Sequence, residues 1–169
     1  MADIGKMAAH SRVWVYQSSR EFTSDEASHI ETQLVTFIQG WAAHGNQLAA
    51  SAELRYRRFI ILAVDEQQAG ASGCSIDSSV RFIKSLEIEY KIDLMNRMLF
   101  ATKEDNKVHA YTRVAFEDAI EKGRLSTETI VFNNLVKDKA ELDSRWEIPL
   151  GSSWHASFFS GNLAKALPH

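Results

Sequence analysis

The order of local signals predicts an α+β fold. Three β-rich segments, at residues 12–17, 48–56 and 59–64, interleave with two long amphipathic helical patterns, and a further strand signal follows at residues 97–102. Strand, helix, strand, strand, helix, strand is the order of a ferredoxin-like split βαβ unit.

The first strand is Arg12–Gln17 (RVWVYQ), which alternates and is rich in β-formers. Thr23 then opens a helix. Thr23 and Glu26 have capping-box spacing, and Ala27, Ile30, Leu34, Phe37, Ile38 and Trp41 recur at helical intervals on one face. Its stop is expected at His44-Gly45, where glycine takes the left-handed conformation and histidine suits the negative end of the dipole. Leu48, Ala50, Ala52, Leu54 and Tyr56 alternate with mostly polar neighbours, as in a half-exposed strand. Residues 59–64 (FIILAV) are apolar on both faces, as in a central strand covered on both sides. A loop by composition, residues 67–75 (QQAGASGCS), leads into a second helix capped at Ser75 or Asp77, with Ile76, Val80, Ile83, Leu86 and Tyr90 as its stripe.

Residues 97–102 and 107–112 read as strands joined by a polar turn. Thr112 caps a short helix that Gly123 ends. A short strand at 129–132, a turn at Asn133-Asn134 and a helix at 137–145 follow, and the tail 146–159 is aromatic and irregular. The expected organisation is one domain over residues 12–159, with a core at 12–102, an extension at 103–159, and flexible ends at 1–11 and 160–169.

Composition narrows the function classes. The 169 residues are 45% hydrophobic and 24% charged, an ordinary globular balance. A net charge of −3 gives no broad cationic field, which disfavours nucleic acid as a partner. The single cysteine cannot form an internal disulfide, so a reducing compartment, the cytoplasm, is expected. Residues 1–10 lack a long apolar stretch, and the run 59–64 is too short to span a bilayer, so no membrane partner is expected.

The richest chemistry falls at the turn around Cys74. Gly70 and Gly73 precede a helix start, where free N–H groups and the helix dipole converge on a spot suited to a phosphate, carboxylate or oxyanion. The candidate ligand-binding residues are Gly70, Ser72, Gly73, Cys74, Ser75 and Arg81. A thiol at a helix N-terminus is also a candidate nucleophile, with His155 or His44 as its base. The plainer alternative makes the glycines a tight turn and Cys74 a small residue packed beneath it, His44 a helix-end residue and His155 a surface residue. Two known loops fail on spacing. No Gly-Lys-Ser or Gly-Lys-Thr occurs, as a nucleotide-binding P-loop requires, and a cysteine-phosphatase loop needs arginine where Val80 stands, one position before Arg81. Asp65, Glu66 and Asp77 flank the turn without metal-ligand spacing, so no metal and no cofactor is called for. Arg55, Arg57 and Arg58 surround Tyr56. Arg55 and Arg57 would share a strand face, and the cluster serves either to bind phosphate or stack on a base, or as solvated edge charges that block unwanted strand pairing.

The segments RFIILAVDE (58–66), GASGCSIDSSVRFIK (70–84), TIVFNNLV (129–136) and WEIPLGSSWHASF (146–158) resemble an uncharacterised bacterial family whose members carry the label "ABC transporter ATPase". The likeness covers residues 12–159. An ABC ATPase requires a Walker A loop, a signature motif and a longer chain, so the resemblance implies a family without established chemistry and no catalytic residues to carry over. Residues 116–132 also resemble GYF-like adaptor modules, through Gly123 and Thr129.

The sequence thus assigns no reaction. It points to a non-enzymatic cytoplasmic binding or regulatory domain that recognises a small anionic ligand or a partner protein at the Cys74 turn. The alternatives are a thiol-dependent acyl transferase or hydrolase with Cys74 as nucleophile, and a structural subunit of a larger assembly.

Overall fold

The computed structural model describes residues 3–43, 45–67 and 70–159, and the fold is α+β as expected. The chain divides into two compact units. One comprises Met1–Asn96 with Asn134–Asp143, and the other Arg97–Asn133 with Ser144–His169, so the division falls at 96/97 and not at 102/103.

In the first unit, β1 (Arg12–Gln17), α1 (Ser24–Gly40), β4 (Ala49–Arg55), β5 (Phe59–Asp65) and α2 (Gly73–Tyr90) build a three-stranded sheet in the order β1-β5-β4. Two short strands, β2 (Ala42–Ala43) and β3 (Asn46–Gln47), form a separate hairpin between α1 and β4. Arg12 lies opposite Val64 and Gln17 opposite Phe59, while Arg55 also lies opposite Phe59, so β5 is antiparallel to both neighbours. β1 and β4 are therefore parallel with β5 between them, which is the split βαβ arrangement. Ile60, Leu62 and Val64 of β5 pack in one core with Ile30 and Leu34 of α1 and with Ile83 and Leu86 of α2. Phe37 and Phe82 stack between the helices at 4.3 Å. Every residue from Phe59 to Val64 is buried, as a strand covered on both faces requires.

Two expectations are corrected in this unit. The strand signal at 97–102 does form a strand, but it joins the second unit's sheet and not this one. The outer edge of β1 is bridged instead by the segment that contains Asp138. Val13 N donates to Lys137 O at 3.0 Å, Lys139 N to Ser11 O at 2.8 Å and Ala140 N to Ala9 O at 2.9 Å. Second, α1 stops at Gly40 and not at His44-Gly45. Trp41 turns into the core and its Nε1 donates to Ser75 O at 2.9 Å, so the chain leaves helical geometry to seat that ring.

The second unit holds a four-stranded antiparallel sheet in the order β7-β6-β8-β9, from β6 (Leu99–Glu104), β7 (Lys107–Thr112), β8 (Ile130–Phe132) and β9 (Glu147–Pro149). Asp105 and Asn106, both left-handed, make the tight β6–β7 turn. Thr112 caps α3 (Arg113–Glu121) as expected, and Gly123 at φ +73° ends it. Phe116, Ala119, Ile120, Leu125, Val131 and Leu150 form its core with Phe100. The tail is more regular than expected: β9 is a strand, and Trp154–Phe159 is a 3₁₀ helix. The last helix, α4 (Lys139–Arg145), lies within the expected span 137–145.

Candidate functional site

The Cys74 turn is held from both sides. Where β5 emerges, Asp65 accepts from His10 Nε2 at 2.9 Å and from Gln67 N at 3.0 Å. The His10 bond is the chief reason its carboxyl titrates below the usual range. Glu66 accepts from Ala71 N at 3.3 Å and lies 3.6 Å from Arg12. A carboxylate is therefore already attached to the loop just before the helix.

The helix begins earlier than its composition suggests. Ser72, not Ser75 or Asp77, is the N-cap, and it forms a reciprocal pair with Ser75: Ser75 N donates to Ser72 Oγ at 3.2 Å and Ser72 N to Ser75 Oγ at 2.7 Å. The spacing is that of a capping box with serine in place of glutamate, which hides it from a search for the usual motif. Both hydroxyls, expected to face a ligand, are engaged in capping, and Ser75 is buried. The N–H groups of Gly73 and Cys74 remain as the first-turn donors with no acceptor among the described residues. A Cβ placed on Gly70 or Gly73 would meet nothing within 4 Å, so this approach is open.

Cys74 is exposed, which corrects the reading that packs it beneath the turn. Arg81 is exposed two helical turns further along and so stands away from the first-turn N–H groups. His44 lies outside the described residues, and His109 is exposed on β7. His155 is not at a surface. It is 1% exposed, stacked on Trp154 at 3.8 Å and flanked by Phe100 and Phe116, with Nδ1 2.7 Å from Ser153 Oγ. Burial pushes its pKa down to about 4. Cys74 belongs to the first unit and His155 to the second. No hydrogen bond joins Cys74 to a base among the described residues.

Three residues named in the sequence take parts that sequence reading did not assign to them. Trp41 ties the helix start to the core through Ser75 O, Glu66 clamps the loop, and Arg58 is buried at the other end of β5. Only Arg58 left a legible signal, a charge set directly against an unbroken apolar run. The arginine cluster itself is rearranged. Tyr56 (φ 54°) and Arg57 (φ 46°) make a left-handed turn, so Arg57 shares no strand face with Arg55 and pairs instead with Glu21 and Ser24. A depression of about 570 Å³ in the second unit is lined by Lys103, Asp105, Asn106, Ile130 and Glu147. None of these is a sequence-predicted site residue, and Lys103 and Glu147 pair with each other at 3.1 Å.

Among the described residues no group of three His, Cys, Asp or Glu side chains is placed to hold a metal ion, and no helix is long and apolar enough to cross a membrane. The chain matches no family model, no curated protein and no solved structure.

Proposed function

We propose that the chain is a cytoplasmic binding or regulatory domain whose recognition site for a small anionic ligand is the start of α2. The observation that carries this reading is the pair of Gly73 and Cys74 N–H groups, without acceptors among the described residues and with open space above Gly73. Such donors at the positive end of an 18-residue helix favour a negative group, and the reciprocal Ser72–Ser75 cap leaves these two N–H groups for it. The Glu66 carboxylate, bonded to Ala71 N two residues before the helix, adds negative charge to the same loop, which favours a monoanion over a polyanion. The resemblance to the bacterial family labelled "ABC transporter ATPase" supplies no catalytic residue to this reading. The test is a titration with inorganic phosphate, acetate and sugar phosphates while the backbone amides of Gly73 and Cys74 are followed. Saturable shifts at these two amides are expected, and amides that do not respond to any of the three rule the site out.

Exposure of Cys74 favours a second reading, a thiol-dependent acyl transferase or hydrolase with those N–H groups as its oxyanion hole. Alkylation by iodoacetamide as a function of pH separates the two. A rate midpoint well below the reference of about 8.5 supports the enzyme, and a midpoint at that value supports the binding domain.

A further inference from the structure

The sheet of the second unit has two edges, and only one of them is guarded. β9 is three residues long and ends in Pro149, whose nitrogen carries no hydrogen to donate. β7, at the other edge, runs six residues in unbroken register with β6, from Lys107 opposite Glu104 to Thr112 opposite Leu99. Very short length, proline and bulges are common guards of an edge, and β7 has none of them. Its lysine, Lys107, stands at the end of the strand and not at its middle.

The hairpin turn decides which backbone groups this edge offers. Asp105 and Asn106, both left-handed, form a two-residue loop, so Glu104 and Lys107 exchange backbone bonds across it. Alternation then turns the N–H and C=O of Lys107, His109 and Tyr111 towards β6, and those of Val108 and Ala110 outward. Neither Val108 nor Ala110 has a partner for these outward groups among the described residues. Each therefore presents one donor and one acceptor along a single line, at the spacing that an added strand requires.

This pattern is its own complement. A second β7, related by a two-fold axis at His109, sets Val108 opposite Ala110 and Ala110 opposite Val108. Each pair exchanges two bonds, so every outward group of these residues is used in both copies. The side chains agree with this register. Lys107 of one copy falls beside Tyr111 of the other, whose hydroxyl donates to Glu104 at 2.8 Å, and Asp105 falls beside Arg113, so unlike charges approach and the two lysines stand apart. A foreign extended segment would satisfy the backbone but draws on none of these side-chain matches. We propose that β7 is a homodimerisation edge, which joins the second-unit sheets of two copies into one continuous antiparallel sheet across His109. This does not depend on ligand binding at the start of α2.

The test is sedimentation equilibrium of the full chain from roughly 10 μM to 1 mM, the range in which a small interface becomes populated. Hydrogen exchange of the Val108 and Ala110 amides is read at both ends of that range. The expected result is a monomer–dimer equilibrium in which exchange at these two amides slows as the dimer fraction rises. Ala110→Pro removes an outward N–H without touching the bonds to β6, and should weaken the dimer about tenfold or more. His109→Lys, at an exposed position, sets like charges face to face on the axis and should weaken it severalfold, which keeps the proposal testable if the proline variant does not fold. A chain that stays monomeric at the highest concentration overturns the proposal and leaves the edge to a foreign segment. Dimerisation with both amides still exchanging as in the monomer overturns it too, and so does their protection at every concentration, which would mean that the chain closes its own edge.

Discussion

Trp154 and His155 are adjacent in sequence yet differ in exposure from 39% to 1%, and this difference gives the protein an acid-sensitive residue. Because His155 is held neutral with a folded pKa of about 4 against an unfolded value near 6.5, the unfolded chain binds the extra proton first as pH falls. Stability is therefore full above about pH 6.5, declines between 6.5 and 4, and levels off below, a loss of at most about 3 kcal/mol. Thermal unfolding of His155→Phe across this range should show a flatter profile than the wild type. Glu26 acts lower on the scale. Its hydrogen bond to Arg20, then that from Thr23 N, hold its carboxyl at about 2, so its contribution is present above about pH 4.5 and lost as pH falls towards 2. Arg20→Ala should return its NMR titration midpoint towards the usual carboxylate range. The sequence places His155 in an aromatic tail but not on its inner side, because no helical or strand period is expressed over so short a 3₁₀ segment.

At the scale of the element, the caps are the most testable features. Ser72→Ala should lower stability by about 1 kcal/mol in denaturant unfolding, since it leaves Ser75 N as another unpaired first-turn donor. Lys91 ends α2 in the left-handed conformation at φ 52°, so Lys91→Gly should raise stability by roughly 0.5–1 kcal/mol. Most elements were legible. The capping box at Thr23, the all-apolar β5 and the Thr112 cap each rest on a local rule, and each appears where that rule puts it. What local pattern does not carry is the partner of a strand. The β-rich segment that became β6 is equally compatible with either sheet by its own pattern; its hairpin with β7 is local, and the pairing with β8, remote in sequence, ties it to the second sheet. The candidate site was legible as a glycine-rich helix start, while its cap and the carboxylate beside it were not. A serine at the third helical position is an unusual reciprocal partner, and Glu66 reaches Ala71 only because of how the loop folds.

At the scale of the whole molecule, the chain passes through its two units twice, since Asn134–Asp143 belongs with the residues before Arg97. A fragment ending at Asn96 keeps β1, β4, β5 and both long helices but loses the backbone bonds that Lys137, Lys139 and Ala140 make to the β1 edge. Size-exclusion chromatography and thermal melting of that fragment should show self-association or a lower midpoint, because an uncovered strand edge invites pairing with other chains. Monomeric behaviour with a midpoint equal to that of the full chain would show that the returning segment contributes nothing. The same feature sets a delay during synthesis. β1 leaves the ribosome more than a hundred positions before the residues that close its outer edge, a gap on the order of ten seconds at ordinary elongation rates. For that interval the nascent chain carries an open strand edge, exposed to pairing with other chains until residues 137–140 arrive.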